Sequence, residues 1–575
     1  MIPSGYKEDV VYSPIPTNGN GDLSFTRASN GTRVNSAGLV EVVSWNMAGY
    51  SEDFSNAYWT KNNIPVMAYN VATAPNGTMT ADSIKSDSSS VYQSVSATTI
   101  TVAPNSTVTL SIYIKKETSK TYFTGSYLYF TGGTTKLTYV LFDEVNGSIN
   151  IIAPDEVSMV TSVESVGNWW RFIVTGTDTG NNTNLDFAFY GTLSQNGTSL
   201  NPGIGSVRTI WGAQVNIGST AKPYFPTTDR LNVPRLTYQN GGGGCPSLLL
   251  EKQSTNLALY SEQFSNAVWT QFQGGTITAN SIISPDGTQN ADTLTVASGQ
   301  AFSGVYQTIS GSSDVYTISI FAKYNTKRWL FLFDASASGQ GWFDLQNGVL
   351  GTIPSGYTGS IENFGNGWFR CIFKKNTAVT PAFFQIGLVD ADGFSAPTSN
   401  GSSYIYGAQL EASSYPTSYI PTTSASATRV ADGPVNLSTT QTLTNFTLFL
   451  DGLIFENGQN MFFGSGNSAW YIDIDGSIGR IVLDLASGRI YNAFSSLTSN
   501  QRFKLAVKRS AGVVDAFVNG TKLTPNTQVT DTTSLTLSSI TWGFSSTYYP
   551  KMKVNEICAF QSALSDSDCQ ALTTL

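Results

Sequence analysis

Short runs that alternate β-branched or aromatic residues with polar ones recur along the whole chain. Val108-Thr109-Leu110-Ser111-Ile112-Tyr113-Ile114 is one, and Tyr316-Thr317-Ile318-Ser319-Ile320-Phe321 is another. A period of two sends successive side chains to opposite faces, so each run predicts a strand with one buried face. Between the runs stand Asn76-Gly77, Asn146-Gly147, Asp286-Gly287, Asn347-Gly348, Asp475-Gly476 and Asn519-Gly520. These dipeptides supply the positive φ angles of tight hairpins. The spacing predicts an all-β protein of antiparallel jelly rolls or β-sandwiches. Helical periodicity is nearly absent. The one helix signal is Ser565-Asp566-Ser567-Asp568, a capping-box shape that predicts a short helix ending near Leu572.

The pattern repeats. Tyr50-Ser51-Glu52-Asp53-Phe54-Ser55-Asn56-Ala57-Tyr58-Trp59-Thr60 returns as Tyr260-Ser261-Glu262-Gln263-Phe264-Ser265-Asn266-Ala267-Val268-Trp269-Thr270. Further matches follow in order: Phe142-Asp143 with Phe343-Asp344, Trp169-Trp170-Arg171 with Trp368-Phe369-Arg370, and Gly212-Ala213-Gln214 with Gly407-Ala408-Gln409. Both copies close on a Pro-Thr-Thr, at Pro226 and at Pro421. Residues 50–228 and 260–423 therefore form two modules of one fold. Positions shared by both copies serve that fold. Arg171 and Arg370, each behind an aromatic pair, read as guanidiniums that cap a sheet edge or stack on a ring.

Composition narrows the function. Only 12% of residues are charged, the net charge is −8, and the chain has no histidine. That excludes Ser-His-Asp or Cys-His nucleophiles and histidine-ligated metals. The absence of a basic run argues against nucleic acid. No apolar stretch approaches the roughly 20 residues of a membrane helix. The first residues have neither a basic start nor an apolar core, so no signal peptide is expected. The four cysteines read as buried free thiols, with Cys558 and Cys569 close enough in sequence to approach each other. Asn-x-Ser/Thr sequons are a by-product of a Ser/Thr/Asn-rich chain.

Candidate chemistry centres on aromatic residues. Sugar recognition needs a flat ring for C–H surfaces and a few polar groups for hydroxyls. Trp329 and Trp342 occur in one copy only, so they either serve a ligand or fill a core or subunit contact. In Trp470-Tyr471-Ile472-Asp473-Ile474-Asp475-Gly476, alternation sets Tyr471, Asp473 and Asp475 on the face opposite the apolar set. That face either holds a glycan or calcium, or is simply solvated. Trp542 is a core ring or a platform. Asp390-Ala391-Asp392-Gly393 looks calcium-like but lacks an EF-hand glutamate and reads as a surface turn. Carboxylates are sparse and no catalytic pair stands out. No enzyme activity, cofactor or bound metal is expected.

Two blocks carry a family resemblance. One is Phe25-Thr26-Arg27-Ala28 with Thr32-Arg33-Val34-Asn35-Ser36-Ala37-Gly38-Leu39-Val40-Glu41. The other is Asn232-Val233-Pro234-Arg235-Leu236-Thr237-Tyr238 with Cys245-Pro246-Ser247-Leu248-Leu249-Leu250-Glu251 and Thr255-Asn256-Leu257. Both resemble phage head-fibre or tail-fibre proteins of crAss-like Bacteroides phages. In that family the blocks run on closely; here the first module lies between them, as an inserted duplicate would. The modules resemble carbohydrate-binding-module jelly rolls, and about 432–575 resembles laminin-G/concanavalin-like sandwiches. The resulting map is an attachment segment 1–49, a first sandwich 50–228, a connector 229–259, a second sandwich 260–423 and a C-terminal domain 424–575.

The resemblance implies a trimeric virion fibre that presents lectin-like domains to host-surface or mucus glycans. Low charge and abundant aromatic area also favour a symmetric homo-oligomer. A bacterial cell-surface glycan-binding protein and a polysaccharide depolymerase are the alternatives. The Pro/Gly-rich start reads as an extended peptide docked on a capsid or tail protein or another subunit, with Ile2, Pro3, Tyr6, Tyr12, Pro14 and Pro16 as attachment candidates.

Overall fold

The computed structural model describes residues 10–12, 23–24, 31–43, 46–102, 104–119, 122–152, 158–196, 199–205, 207–219, 221–222, 224–228, 235–432, 435–454, 459–462, 471–475, 480–485, 488–493, 501–524, 530, 534–540 and 552–575. By its contacts the chain divides into residues 44–233 and residues 1–43 with 234–575.

The first module is a sandwich of two antiparallel sheets. One runs Ser158–Val166, Trp169–Thr177, Thr107–Lys115, Arg208–Ile217, Ala81–Lys85, Val66–Ala72. The other runs Ser148–Ile152, Lys136–Asp143, Phe123–Thr131, Asn184–Asn196, Ser94–Ser96, Thr60–Asn62. Leu110, Ile112 and Phe172 from one sheet meet Phe142, Phe187 and Phe189 from the other. The second module repeats the order. Tyr357–Asn363, Trp368–Lys375, Tyr316–Tyr324, Gly401–Ala412, Ala291–Val296 and Thr276–Ile282 form one sheet. Val349–Leu350, Gly339–Asp344, Trp329–Asp334, Phe383–Val389, Gly304–Thr308 and Thr270–Phe272 form its partner.

The shared residues explain why the order is shared. Asn46 opens the first copy: its amide donates to the Ala213 and Phe225 carbonyls and accepts from the Ala48 and Val215 amides. Asn256 does the same with Ala408, Ile420, Ala258 and Leu410. A buried amide with all four bonds made fixes the entering chain against the sheet at little desolvation cost. Asp82 accepts from the Phe54 and Asn70 amides, and Asp292 accepts from Phe264 and Asn280. Arg171 and Arg370 lie over Tyr113 and Phe321 at 5.6 and 5.5 Å, and each donates to a serine, Ser111 or Ser319. These are structural guanidiniums.

The two blocks that flank the first module in sequence meet in space. The Tyr238 amide donates to Val34 O at 2.9 Å, and the Val34 amide to Thr237 Oγ1 at 3.2 Å. At the hairpin tip Gly38 has φ +82°, and a Cβ there would lie 2.3 Å from the Gly241 carbonyl carbon. Only glycine permits both the turn and the approach. Beneath this contact is a buried four-charge network. Arg235 bonds both Asp432 oxygens, Glu251 Oε2 at 2.8 Å, Thr32 O at 3.2 Å and Ser418 Oγ at 2.6 Å. Arg429 completes it, 3.6 Å from Glu251 and 3.8 Å from Asp432. All four side chains are essentially inaccessible to solvent.

In the C-terminal domain, Phe446–Ile454 sits between Met552–Phe560 and Gln501–Ser510. The connector strand Ser247–Leu250 joins this sheet through Met552–Phe560. The helix spans Asp566–Thr573 with Ser565 as its N-cap, as the capping signal predicts, and buries Cys569 and Leu572 against Phe449 and Phe517.

Two expectations need correction. Val10–Tyr12, within the segment read as an attachment peptide, pairs antiparallel with Met552–Phe560 of the same chain, Tyr12 opposite Ile557, and not with another subunit. Unsatisfied backbone at a sheet strand captures an extended segment. Ile2, Pro3, Tyr6, Pro14 and Pro16 lie outside the described residues. Cys245 is exposed, beside Gly241 to Gly244, all at positive φ; Cys371, Cys558 and Cys569 are buried, and all four are free thiols.

Candidate functional site

Each module has one sheet whose outer face is aromatic. Phe142 and Phe343 mark equivalent positions, so Tyr139 corresponds to Gln340 and Leu141 to Trp342. Their cross-strand partners are Tyr127 and Gly125 in the first module, Phe333 and Phe331 in the second. One strand further, Tyr190, Ala188 and Asp186 correspond to Gly387, Gln385 and Phe383. At the far edge Ser94, Ser96 and Asn62 stand where the second module has Gly304, Tyr306 and Phe272. No pair in this set is the same residue. On the inner face the positions stay apolar: Phe142 and Phe343, Val95 and Val305, Phe187 and Phe384, Phe189 and Ile386. The core is shared and the outer surface is not.

The first module's face is a tyrosine cluster. Tyr127 lies 5.9 Å from Tyr139, 6.0 Å from Tyr190 and 6.4 Å from Tyr129, ring centre to ring centre. Tyr92 joins at 6.1 Å from Tyr190, and its hydroxyl donates to Leu200 O. Tyr127, Tyr129 and Tyr139 are half-buried. Burial, then the nearby Asp186 carboxylate and the neighbouring tyrosines, pushes Tyr127 up to about 12. Burial raises Tyr139 and Tyr190 as well, so these phenols stay neutral and keep their donor hydrogen. Leu141, Leu193 and Ile152 pack beneath the rings.

The second module's face is a line of four phenylalanines and one tyrosine, Tyr306. Phe302 stands 5.4 Å from Phe333, Phe333 6.1 Å from Phe383, Phe383 5.0 Å from Tyr306, and Tyr306 5.8 Å from Phe272. Gln340 and Gln385 lie beside it; the buried Gln385 amide donates to Phe302 O, and Gln340 Nε2 is buried without a partner among the described residues. Phe331 lies flat over Gly387, where a Cβ would come within 2.2 Å of the ring. The predicted pair Trp329 and Trp342 is brought onto this same face, at its end. Both are half-buried, and the Trp342 indole donates to Phe394 O at 2.8 Å.

Phe394 belongs to a strap, residues 390–398, that crosses this end of the sheet. The Phe302 amide donates to Ser395 O and the Gly299 amide to Pro397 O, both at 2.7 Å. The Asp390-Ala391-Asp392-Gly393 turn fastens the strap. Asp392 accepts from the Thr352 amide and hydroxyl at 2.9 Å each, and Asp390 pairs with buried Lys327 and accepts from Thr398. Partial burial works against ionisation of Asp390, but the bonds from Lys327 and Thr398 outweigh it and hold the carboxyl at about 2. A depressed folded pKa stabilises above the ordinary carboxylate value and loses that contribution as pH falls through the folded one. Asp390→Asn is therefore expected to destabilise the protein at neutral pH, with the gap from wild type closing between about pH 4 and pH 2. A gap that stays constant in acid denaturation curves would refute this role.

Tyr471, Asp473 and Asp475 lie on strand Tyr471–Asp475, which pairs with Gln459–Phe462 and Arg480–Leu485. Their side chains fall outside the described residues, as does the whole of Trp542. The sequence-based candidates miss Tyr127, Tyr129, Tyr139, Tyr190 and Phe333. A signal exists in Tyr127-Leu128-Tyr129, an aromatic pair on one strand face, and in Phe331-Leu332-Phe333 on the corresponding strand of the second module. Between the copies, however, loop lengths differ and the offset drifts, so only the strand register aligns these positions.

No protein-family description matches the chain, and no curated protein matches it. Solved structures overlap it loosely. The CBM40 domain of a Ruminococcus gnavus sialidase matches at 12% identity and TM-score 0.20, over 24% of this chain and 96% of its own. A CBM22 tandem from Paenibacillus barcinonensis matches at 9% identity and TM-score 0.23, over 64% and 98%. Domains LG4-5 of the mouse laminin alpha1 chain match at 10% identity and TM-score 0.16, over 52% and 92%. Scores at this level assign neither family nor ligand; the all-β sandwich architecture stands on the sheets themselves.

Proposed function

We propose that the chain is a glycan-binding appendage whose two sandwich modules each hold a saccharide on the aromatic outer face of one sheet. One observation carries this reading. The ten equivalent outer positions compared above all differ while both faces remain aromatic, and the inner positions stay apolar. A surface kept only for packing has no reason to exchange Tyr139 for Gln340 and Tyr190 for Gly387 and still retain a set of rings in edge and tilted contact. Rings with adjacent hydroxyls, amides and a carboxylate are the chemistry that grips a sugar's C–H face and its hydroxyls.

In the finer reading the protein is a phage head or tail fibre. It is a homotrimer, joined to the particle through its N-terminal region, with a binding rather than a catalytic role. The two sequence blocks around Arg33 and Arg235 support this, and the low charge supports assembly. Light scattering of the intact protein is expected to give three chains per particle, and its peptides should appear in purified virions.

The test of the core reading uses the intact protein on an array of capsular and mucin oligosaccharides. The combined variant Tyr127→Ala, Tyr139→Ala, Phe333→Ala, Phe383→Ala is expected to lose binding by at least about tenfold, with an unchanged main melting transition. Wild-type binding in that variant would overturn the proposal.

A further inference from the structure

The tyrosine face carries a carboxylate that no described lysine or arginine pairs with. Asp186 is the cross-strand partner of Tyr129, and two residues along the same strand Ala188 faces Tyr127. One oxygen of Asp186 accepts the Thr99 hydroxyl at 2.5 Å. Among the described residues the other oxygen has no hydrogen-bond partner, and no lysine or arginine pairs with the group. It is half-buried at the margin of an aromatic surface, where low-dielectric rings strengthen any charge interaction. An ionised carboxylate only accepts hydrogen bonds, so it rewards a ligand hydroxyl and repels a ligand anion. In the second module the equivalent residue is Phe383, packed between Phe333 and Tyr306.

We propose that Asp186 makes the first module select neutral saccharides, with a hydroxyl donated to its open oxygen, and reject saccharides bearing carboxylate or sulfate. At the equivalent position the second module's face carries a phenylalanine in place of the carboxylate. The chain thus presents two different specificities, not two copies of one site. This inference rests on the glycan reading above, and specificity here includes a repulsive element as well as an attractive one.

The experiment uses the intact chain with Phe333→Ala and Phe383→Ala, which silence the second face. Its probes are matched arrays of neutral and uronate-bearing oligosaccharides. This parent is expected to bind neutral probes preferentially, and Asp186→Asn is expected to raise the uronate-to-neutral binding ratio about tenfold. A ratio that moves by less than about twofold overturns the charge filter. Adding Tyr127→Ala and Tyr139→Ala separates the two claims. If neutral binding survives those changes, the face is not the site and the glycan reading fails. If neutral binding disappears while Asp186→Asn leaves the ratio fixed, the glycan reading stands and the filter alone is wrong. Should the wild-type chain bind no saccharide on either array, both fall together.

Discussion

Arg235→Met is expected to destabilise the unit formed by residues 31–43 and 235–575 by about 3–5 kcal/mol, among the largest single-residue effects in the protein. The substitution keeps most of the side-chain volume and removes the charge. Glu251 and Asp432 would then face each other in the interior with Arg429 at 3.6 and 3.8 Å left to balance two carboxylates. The Thr32 carbonyl and Ser418 hydroxyl would lose a donor as well. Truncating one member of a buried charge set costs much more than the set contributes, because the remaining charges stay desolvated. Denaturant unfolding should show one transition moving and the transition of the 44–233 unit unchanged. The double variant Arg235→Met, Asp432→Asn should recover part of the loss. A shift below about 1 kcal/mol in Arg235→Met would show that water reaches the network and screens it.

The second large effect is expected at the repeated tryptophans. Trp59 packs on Phe54 at 4.7 Å and Trp269 on Phe264 at 4.8 Å, both almost fully buried. Each indole donates to the carbonyl of the residue that opens its motif, Tyr50 at 3.0 Å and Tyr260 at 3.1 Å. Those tyrosines both have φ +47°, a left-handed conformation that the hydrogen bond helps to hold. Trp59→Ala should cost about 3–5 kcal/mol, and so should Trp269→Ala. Hydrogen exchange should report each loss only in its own module. Trp→Phe at either site retains most of the ring and isolates the carbonyl left without its donor, at about 1–3 kcal/mol. If both modules loosened in either Ala variant, their cores would not be independent.

Much of this was legible in the sequence because it is local or repeated. Alternation and Asn-Gly turns mark the strands, and Ser565 marks the helix start. The Tyr-Ser-Glu motif implies two sandwiches of one order, which the sheets show. Trp329 and Trp342 stand out as single-copy rings, and both lie on the face that the second module presents. The tyrosine face was hidden because register, not residue identity, defines equivalence between copies. Arg235, Glu251 and Asp432 were hidden for another reason. Charges of opposite sign far apart in sequence carry no local pattern, and only the chain's return brings them together. The pairing of Val10–Tyr12 with Met552–Phe560 is of the same kind.

That pairing has a mechanical consequence. The chain's start reaches the C-terminal sandwich through a three-residue strand, Val10–Tyr12, paired with Ala559 to Ile557. Tension applied upstream of Val10 loads these few hydrogen bonds first and the two-residue pairing of Leu23–Ser24 with Val435–Leu443 next, whereas Phe446–Ile454 and Gln501–Ser510 are joined along their whole length. The short strand is thus a fuse in series with a strong sheet. Under load it is expected to part first and to re-form when the load is removed, while the sandwiches that carry the rings stay folded.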